Sequence, residues 1–227
     1  MSAPYSLRLF TPAGGNLGAL TDYAGFALAY GQGVVGVCTV TLGNKWKTAQ
    51  AFPPFTRLEV WRSVGGITYL KGERIWFLLD QVDYRDSDGR QMQQLIFYDA
   101  NYILASRYIL AAAESAEADK TDNADDMIKD IVKETIGSEA TAARQVTGLT
   151  VAADNAAATS ITKAFHGRRV IDVLNEVCAQ ARDNDEALFY DFVRTAENTL
   201  EFRTFMGQRG TNRGKDSAAP LRLTWEG

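Results

Sequence analysis

Turn residues divide about the first hundred residues into short β-type segments. This spacing of turn residues constrains the fold more than any other feature of the chain. The segments are rich in Val, Ile, Tyr, Trp and Thr, which favour strands. Asp88-Gly89 separates two long runs, residues 75–84 and 91–98, and is a strong hairpin signal. This part of the chain is therefore predicted to form hairpins of antiparallel strands.

The same spacing of turn residues predicts two further hairpins. The predicted pairs are residues 26–30 with 34–42 across Gly31-Gln32-Gly33, and residues 55–61 with 67–70 across Gly65-Gly66. The first pair lies inside residues 23–44, which carry no charge and have about the length of a membrane span. Five glycines interrupt that segment, so two adjacent strands explain it better than a membrane helix.

The pattern changes from Ala111, where alanine and acidic residues accumulate and the apolar spacing shifts toward the helical period. We predict a domain boundary there and an α+β region beyond it. The predicted elements are a helix capped by Asp122 and ending at Gly137, a helix over 168–182, strands over 187–194 and 199–205, and a final short strand over 221–225.

The residues that carry most enzyme chemistry are sparse. His166 is the only histidine, which removes Ser-His-Asp and Cys-His arrangements unless both partners adjoin it, and we assign it no role. Cys38 and Cys178 are far apart and lack metal-type spacing, so both are predicted to be small core residues. We therefore predict a protein that is not an enzyme, with no catalytic residues, no metal site and no cofactor.

Two acidic groupings invite a metal or acid–base interpretation. Asp83, Asp86 and Asp88 faintly resemble a calcium loop, but the further oxygen ligands are missing, so a hairpin turn is favoured. A longer acidic run lies along one predicted helix and its approach, and a solvated face is favoured over a glycosidase pair or a metal site. That run comprises Glu114, Glu117, Asp119, Asp122, Asp125, Asp126 and Asp130.

The charge balance does not indicate nucleic-acid binding, because the formal net charge is -4 at pH 7 and no clustered basic excess is present. One basic loop is conceivable as a polyanion contact, although such cations usually only solvate a glycine-rich loop: Arg203, Arg209, Arg213 and Lys215. Residues 1–9 lack the features of a secretory signal, so nothing directs the chain to export.

Several phrases resemble positions of the siphovirus tail-hub family, whose fold is shared with the baseplate hub of contractile-tailed viruses. They are 55–62 (FTRLEVWR) before the Gly-Gly turn, 102–109 (YILASRYI), and 200–205 (LEFRTF) before the glycine and arginine loop. Residues 121–129 (TDNADDMIK) are similar to the acidic helix start of the family's inserted domain, and they are the most specific part of the resemblance.

The resemblance implies an α+β, mainly β fold with two domains. A β-barrel-like hub domain over residues 1–110 and 206–227 would be interrupted by an inserted α+β domain with two helices over 111–205. Family members often continue past the point that corresponds to Gly227, so the chain would be a minimal or a trimmed hub.

The resemblance also implies a function through assembly. The chain would be a structural subunit of a phage or phage-like tail, forming a ring, in this family of three copies, that joins the tail tube to the tip and lines the DNA passage. Its partners would be further copies of itself, the tail tube or distal tail protein, the tape-measure protein, and tip or spike proteins. DNA would meet it only in transit, and the protein would be made in the host cytoplasm and reside in the virion tail.

Two other functions remain open from the sequence. A carbohydrate-binding or adhesin-like module would use exposed Trp46, Trp61, Trp76 and the tyrosines as sugar platforms, although aromatic residues in strands are more often core. A cell-wall hydrolase would use two of the carboxylates as acid and base.

Overall fold

A computed structural model of the chain describes residues 5–43, 52–64, 66–110, 118–165, 167–196 and 199–207. Within these ranges the chain forms thirteen strands and three α-helices, arranged in the order expected of an α+β, mainly β protein. The predicted fold class is therefore confirmed, with one short helix more than the two that were predicted.

The first part of the chain forms an eight-stranded sheet whose paired strands are antiparallel. Its strands are β1 (Tyr5–Phe10), β2 (Asn16–Leu20), β3 (Tyr23–Ala29), β4 (Val37–Gly43), β5 (Arg57–Val64), β6 (Ile67–Leu70), β7 (Trp76–Arg85) and β8 (Gln91–Asp99). The strand order is β2-β1-β5-β7-β8-β4-β3, and β6 pairs with β5 beside this path. All three predicted hairpins, β3–β4, β5–β6 and β7–β8, are confirmed.

The sheet curls around one apolar core. Side chains alternate between its two faces, and the inward set is almost completely buried: Leu7, Cys38, Val40, Leu42, Leu58, Val60, Trp76, Leu78, Leu95 and Phe97. β1 and β3 lie far apart in the strand order, yet the rings of Tyr5 and Phe26 meet edge to face at 5.1 Å. The two ends of the sheet therefore approach each other, and the sheet encloses its core as a barrel does.

The later part of the chain forms an α+β body. Its elements are α1 (Asn101–Ala105), β9 (Ala118–Asn123), α2 (Ala124–Ile136), β10 (Leu149–Val151), β11 (Ser160–Phe165), α3 (Val170–Asp183), β12 (Leu188–Ala196) and β13 (Thr199–Met206). β12 and β13 form the predicted hairpin, β10 adds to β13 in parallel, and β9 pairs with β11. The two long helices lie within two residues of their predicted bounds.

The start of α2 differs from the prediction. Asp122 does not cap the helix: it lies in β9 opposite Ile161 of β11, and Asn123 precedes the helix without a side-chain capping bond. Pairing with β11 holds the chain extended as far as Asn123, so the helix begins only at Ala124. Its end before Gly137 is confirmed, because the Gly137 N–H donates to the Val132 carbonyl at 2.9 Å.

A second apolar core lies between α2, α3 and the β12–β13 hairpin. It also takes in Ile75, Phe77, Ala100 and Leu104, which come from β7, β8 and α1 or their flanks. The end of the β7–β8 ladder away from the hairpin turn thus contributes side chains to both cores. The domain limits, 1–110 with 206–227 and 111–205, stay a prediction, because residues 111–117 and 208–227, with the predicted strand 221–225, lie outside the described residues.

Gly36 precedes β4 at a point without room for a side chain. A Cβ there would lie 2.7 Å from Oδ2 of Asp99 and 2.9 Å from Cβ of Tyr30. We predict that Gly36→Ala lowers the free energy of unfolding by about 1–3 kcal/mol, because the buried Asp99 and the Cβ of Tyr30 must shift. Gly43→Ala is the control, since a Cβ at Gly43 meets nothing within 4 Å. Urea denaturation measures both variants, and equal losses would contradict the packing described at Gly36.

Candidate interaction surfaces

A buried ionic cluster joins the barrel-like sheet to the α+β body. Arg74, which precedes β7, is 5% exposed, and its guanidinium donates to Asp99 at the end of β8. It also donates to Oδ2 of Asp191 on β12 and to the carbonyl of Gly31, each at 3.2 Å. The guanidinium carbon lies 5.1 Å from the ring centroid of Tyr30. Because a buried cation needs paired anions, this cluster fixes β12 against the end of the sheet.

A second polar junction connects β5 to β12. Glu59 is 2% exposed and accepts hydrogen bonds from the Arg194 guanidinium and, at 2.9 Å, from the indole nitrogen of Trp61. The guanidinium groups of Arg8 and Arg194 lie 4.7 and 5.5 Å from the Trp61 ring centroid. Trp61 is therefore engaged within the protein.

The two tryptophans in the described ranges, Trp61 and Trp76, do not form the exposed platforms that a sugar-binding module needs. Trp76 is fully buried in the core of the sheet, and Trp61 is half-buried in the junction just described. Trp46 lies outside the described residues. Exposed aromatic side chains do occur, but they are tyrosines and Phe55.

The acidic start of α2 is an internal network, so the predicted solvated face is wrong for Asp125 and Asp126. Both are at least 95% buried, with Lys129 beside them at 1% exposure, its Nζ 3.4 and 2.8 Å from their carboxylates. The carboxylates also accept backbone N–H groups from the loop after β10: Asn155 and Ala156 donate to Asp126, and Ala158 donates to Asp125. These charges therefore hold a loop in place.

In the described ranges, the remaining candidate residues from the sequence do not come together as a catalytic or metal-binding site. Asp86 accepts the N–H groups of Asp88 and Arg90 at 3.0 and 2.8 Å, which confirms a hairpin turn. No group of three or more His, Cys, Asp or Glu side chains there could hold a metal ion. Arg203 pairs with Glu201 on β13. Outside the described residues lie Glu114, Glu117, His166, Arg209, Arg213 and Lys215.

Both cysteines are core residues, as predicted. Cys38 belongs to the core of the sheet and Cys178 to the core of the α+β body. Burial raises the pKa of each thiol to about 12, so neither is a reactive thiolate near neutral pH. In the described part of the chain, no helix has the length and apolar character needed to cross a bilayer.

One broad face of the sheet is nearly free of charge. Leu28, Cys38, Leu78 and Phe97 point into the core, so the alternate residues of β3, β4, β8 and β7 face outward. We call this set the neutral sheet face: Ala27, Ala29, Thr39, Thr41, Met92, Gln94, Ile96, Val82 and Tyr84. All of these residues are exposed or half-buried, and Asp80 is the one charged residue among their described strand neighbours on this face.

Two ribbons project from the sheet with apolar side chains on them. In the β7–β8 hairpin, the β7 residues from Asp80 to Arg85 are all exposed, including Val82 at 41% and Tyr84 at 40%. In the β5–β6 hairpin, Ile67 is 71% exposed and Tyr69 39% exposed. Soluble proteins normally place charged residues on such edges, so exposed apolar ribbons are typical of interaction sites.

Solved structures of partial similarity to this chain include the following two proteins. The tail protein from Neisseria meningitidis MC58 is 14% identical over 87% of this chain and 50% of its own, with a TM-score of 0.48. The E. coli c3393 protein, a type VI secretion component described as similar to the phage T4 tail proteins gp27 and gp5, is 9% identical over 89% of this chain and 46% of its own, with a TM-score of 0.41. The chain thus spans about half the length of each. No protein-family model and no curated protein matches it.

Two buried aspartates should make opposite contributions to how the stability of the protein changes with pH. Burial raises the pKa of Asp99 above its ordinary 3.8, despite the attraction of Arg74. Burial also acts on Asp126, but hydrogen bonds from Lys129 and from two backbone N–H groups outweigh it, so the pKa of Asp126 lies below 3.8.

For each variant, the loss of unfolding free energy relative to the wild type can be plotted against pH. We predict that this plot slopes in opposite directions for Asp99→Asn and Asp126→Asn. The stability that the ionisable Asp99 contributes is present below pH 3.8 and is lost as the pH rises through its raised pKa. The contribution of Asp126 is present above pH 3.8 and is lost as the pH falls through its lowered pKa. Urea denaturation of the wild type and both variants, from acid to neutral pH, gives these differences. Slopes of the same sign would refute the assignment.

Proposed function

We propose that this protein is a structural, non-enzymatic subunit of a phage or phage-like tail, at the hub where the tail tube meets the tip. In this proposal, copies of the chain form a ring that DNA passes through, and neighbouring tail proteins dock on the same ring. The assignment to a tail hub derives from the sequence phrases 55–62, 102–109, 121–129 and 200–205. The assignment to an assembly role derives from the surface of the structure.

The neutral sheet face is the observation that carries the assembly role. On a chain with a net charge of -4, a broad outer face without Lys, Arg or Glu is the surface that another protein, or a second copy, can approach with the least charge repulsion. Apolar and small polar side chains on four adjacent strands also offer a regular surface for contact.

The two rival functions receive less support from the same residues. A hydrolase needs two accessible carboxylates, whereas Asp125 and Asp126 are buried and engaged with Lys129 and the backbone. A sugar-binding module that used the tryptophans as platforms would need them exposed, whereas Trp61 is half-buried and Trp76 is fully buried; the exposed aromatic residues are tyrosines and Phe55.

A lysine placed on the neutral sheet face tests the assembly role. Ala27→Lys puts one charge on the β3 edge of this face, and we predict that it weakens self-association by about tenfold or more, because the charge must be desolvated on contact. Ala164→Lys is the matched control, since Ala164 is also an exposed strand alanine but lies on β11 opposite Asp119. Sedimentation velocity measures association, and circular dichroism checks that both variants fold. Equal behaviour of the two variants would refute the role of this face.

A further inference from the structure

A groove opens between the sheet and the α+β body at the start of β7. Its volume is about 430 Å³, and its walls include the apolar side chains of Phe55, Phe77, Tyr102 and Ile103. Arg57 and Arg107 also line it, and no acidic residue does so among the described residues. Such a groove suits an apolar side chain that is followed or preceded by a carboxylate.

The rim of the groove holds a residue in an unfavourable conformation. Phe55 has φ of 64°, a left-handed backbone angle that bulky side chains rarely adopt, and its ring is 50% exposed. Its backbone is fixed by the Phe55 N–H, which donates to the Leu78 carbonyl at 2.7 Å. An aromatic ring held at the mouth of an apolar groove favours contact with a partner.

The β7–β8 hairpin carries the complementary chemistry. Val82 and Tyr84 are exposed on it, and the segment from Gln81 to Arg90 contains three aspartates against two arginines. Asp88 is at the tip, with its side chain 64% exposed and only a loose pair to Arg90 at 3.7 Å. The hairpin therefore presents apolar side chains beside negative charges.

One copy cannot place its own hairpin in its own groove. Phe77 lies in the groove wall, whereas Asp86 begins the turn at the opposite end of β7. At a rise of about 3.3 Å per residue, the two points are about 30 Å apart along an extended strand. Head-to-tail contact between different copies satisfies this geometry, and repeated contacts of that kind form a ring where the rotation between copies closes and an open filament where it does not.

We propose that the β7–β8 hairpin of one copy docks in the groove beside Phe55 and Arg107 of a second copy. This inference rests on the proposed ring and identifies one contact between its copies, in addition to the neutral sheet face. Val82 and Tyr84 would contact the apolar walls, and the aspartates near the tip would face the exposed Arg107.

Cysteine cross-linking tests the contact directly. Ser87→Cys labels the hairpin tip and Ser106→Cys labels the groove, and both serines are exposed. The native Cys38 and Cys178 are buried, so they do not compete. Mixing the two single variants under mild oxidant should give a mixed disulfide dimer, at least tenfold more than either variant alone. Thr68→Cys, on the exposed ribbon β6, mixed with Ser106→Cys is the matched control.

Charge reversal supplies the second test. Arg107→Glu and Asp88→Arg should each weaken self-association several-fold, and a chain that carries both changes should recover it, because opposite charges again face each other at every contact. Arg107 and Asp88 are both exposed, so neither change should unfold the protein.

The outcomes separate this inference from the proposed function. If the wild type forms rings but neither the mixed cross-link nor the charge recovery occurs, the docking contact is wrong and the ring stands. If the wild type shows no self-association and no mixed cross-link at any soluble concentration, both the contact and the self-assembled ring are wrong.

Discussion

The arrangement of the molecule depends on the pairing of Arg74 with Asp99 and Asp191. The chain has two apolar cores, and apolar contact alone is non-directional, so it does not specify how one body sits on the other. The buried guanidinium accepts only a few geometries, because an unpaired buried charge costs about 3–5 kcal/mol. Glu59 and Arg194 repeat the constraint further along β12. Two ionic contacts on one strand therefore fix its position relative to the sheet.

This constraint decides which surfaces remain for function. The α+β body covers the end of the β7–β8 ladder near Phe77 and Asp99, and the inward face of the sheet is filled by its own core. The neutral sheet face, the two ribbons and the groove beside Phe55 are left to solvent. None of these features contains an arrangement of groups that performs chemistry, and all of them are suited to contact. The assembly role proposed for this chain uses the surfaces that the junction leaves uncovered.

Local signals in the sequence predicted the local structure well. Asp88-Gly89 and Gly65-Gly66 located two hairpins, and apolar spacing located α2 and α3, because these depend on residues close in sequence. β2 was missed since its sequence, NLGAL, lacks β-branched residues. The burial of Asp125 and Asp126 was missed because their partners lie about thirty residues later in the chain. The pairing of Arg74 with Asp191, 117 residues apart, leaves no local pattern at all.

The claim that this chain works as part of a ring is tested most directly by the mass of the purified protein in solution, measured by light scattering, with negative-stain images of the same fraction. Our account predicts a mass that is a whole multiple of 24.9 kDa, three copies or more, and images of an open ring. A monodisperse monomer of 24.9 kDa over the whole soluble concentration range would contradict it.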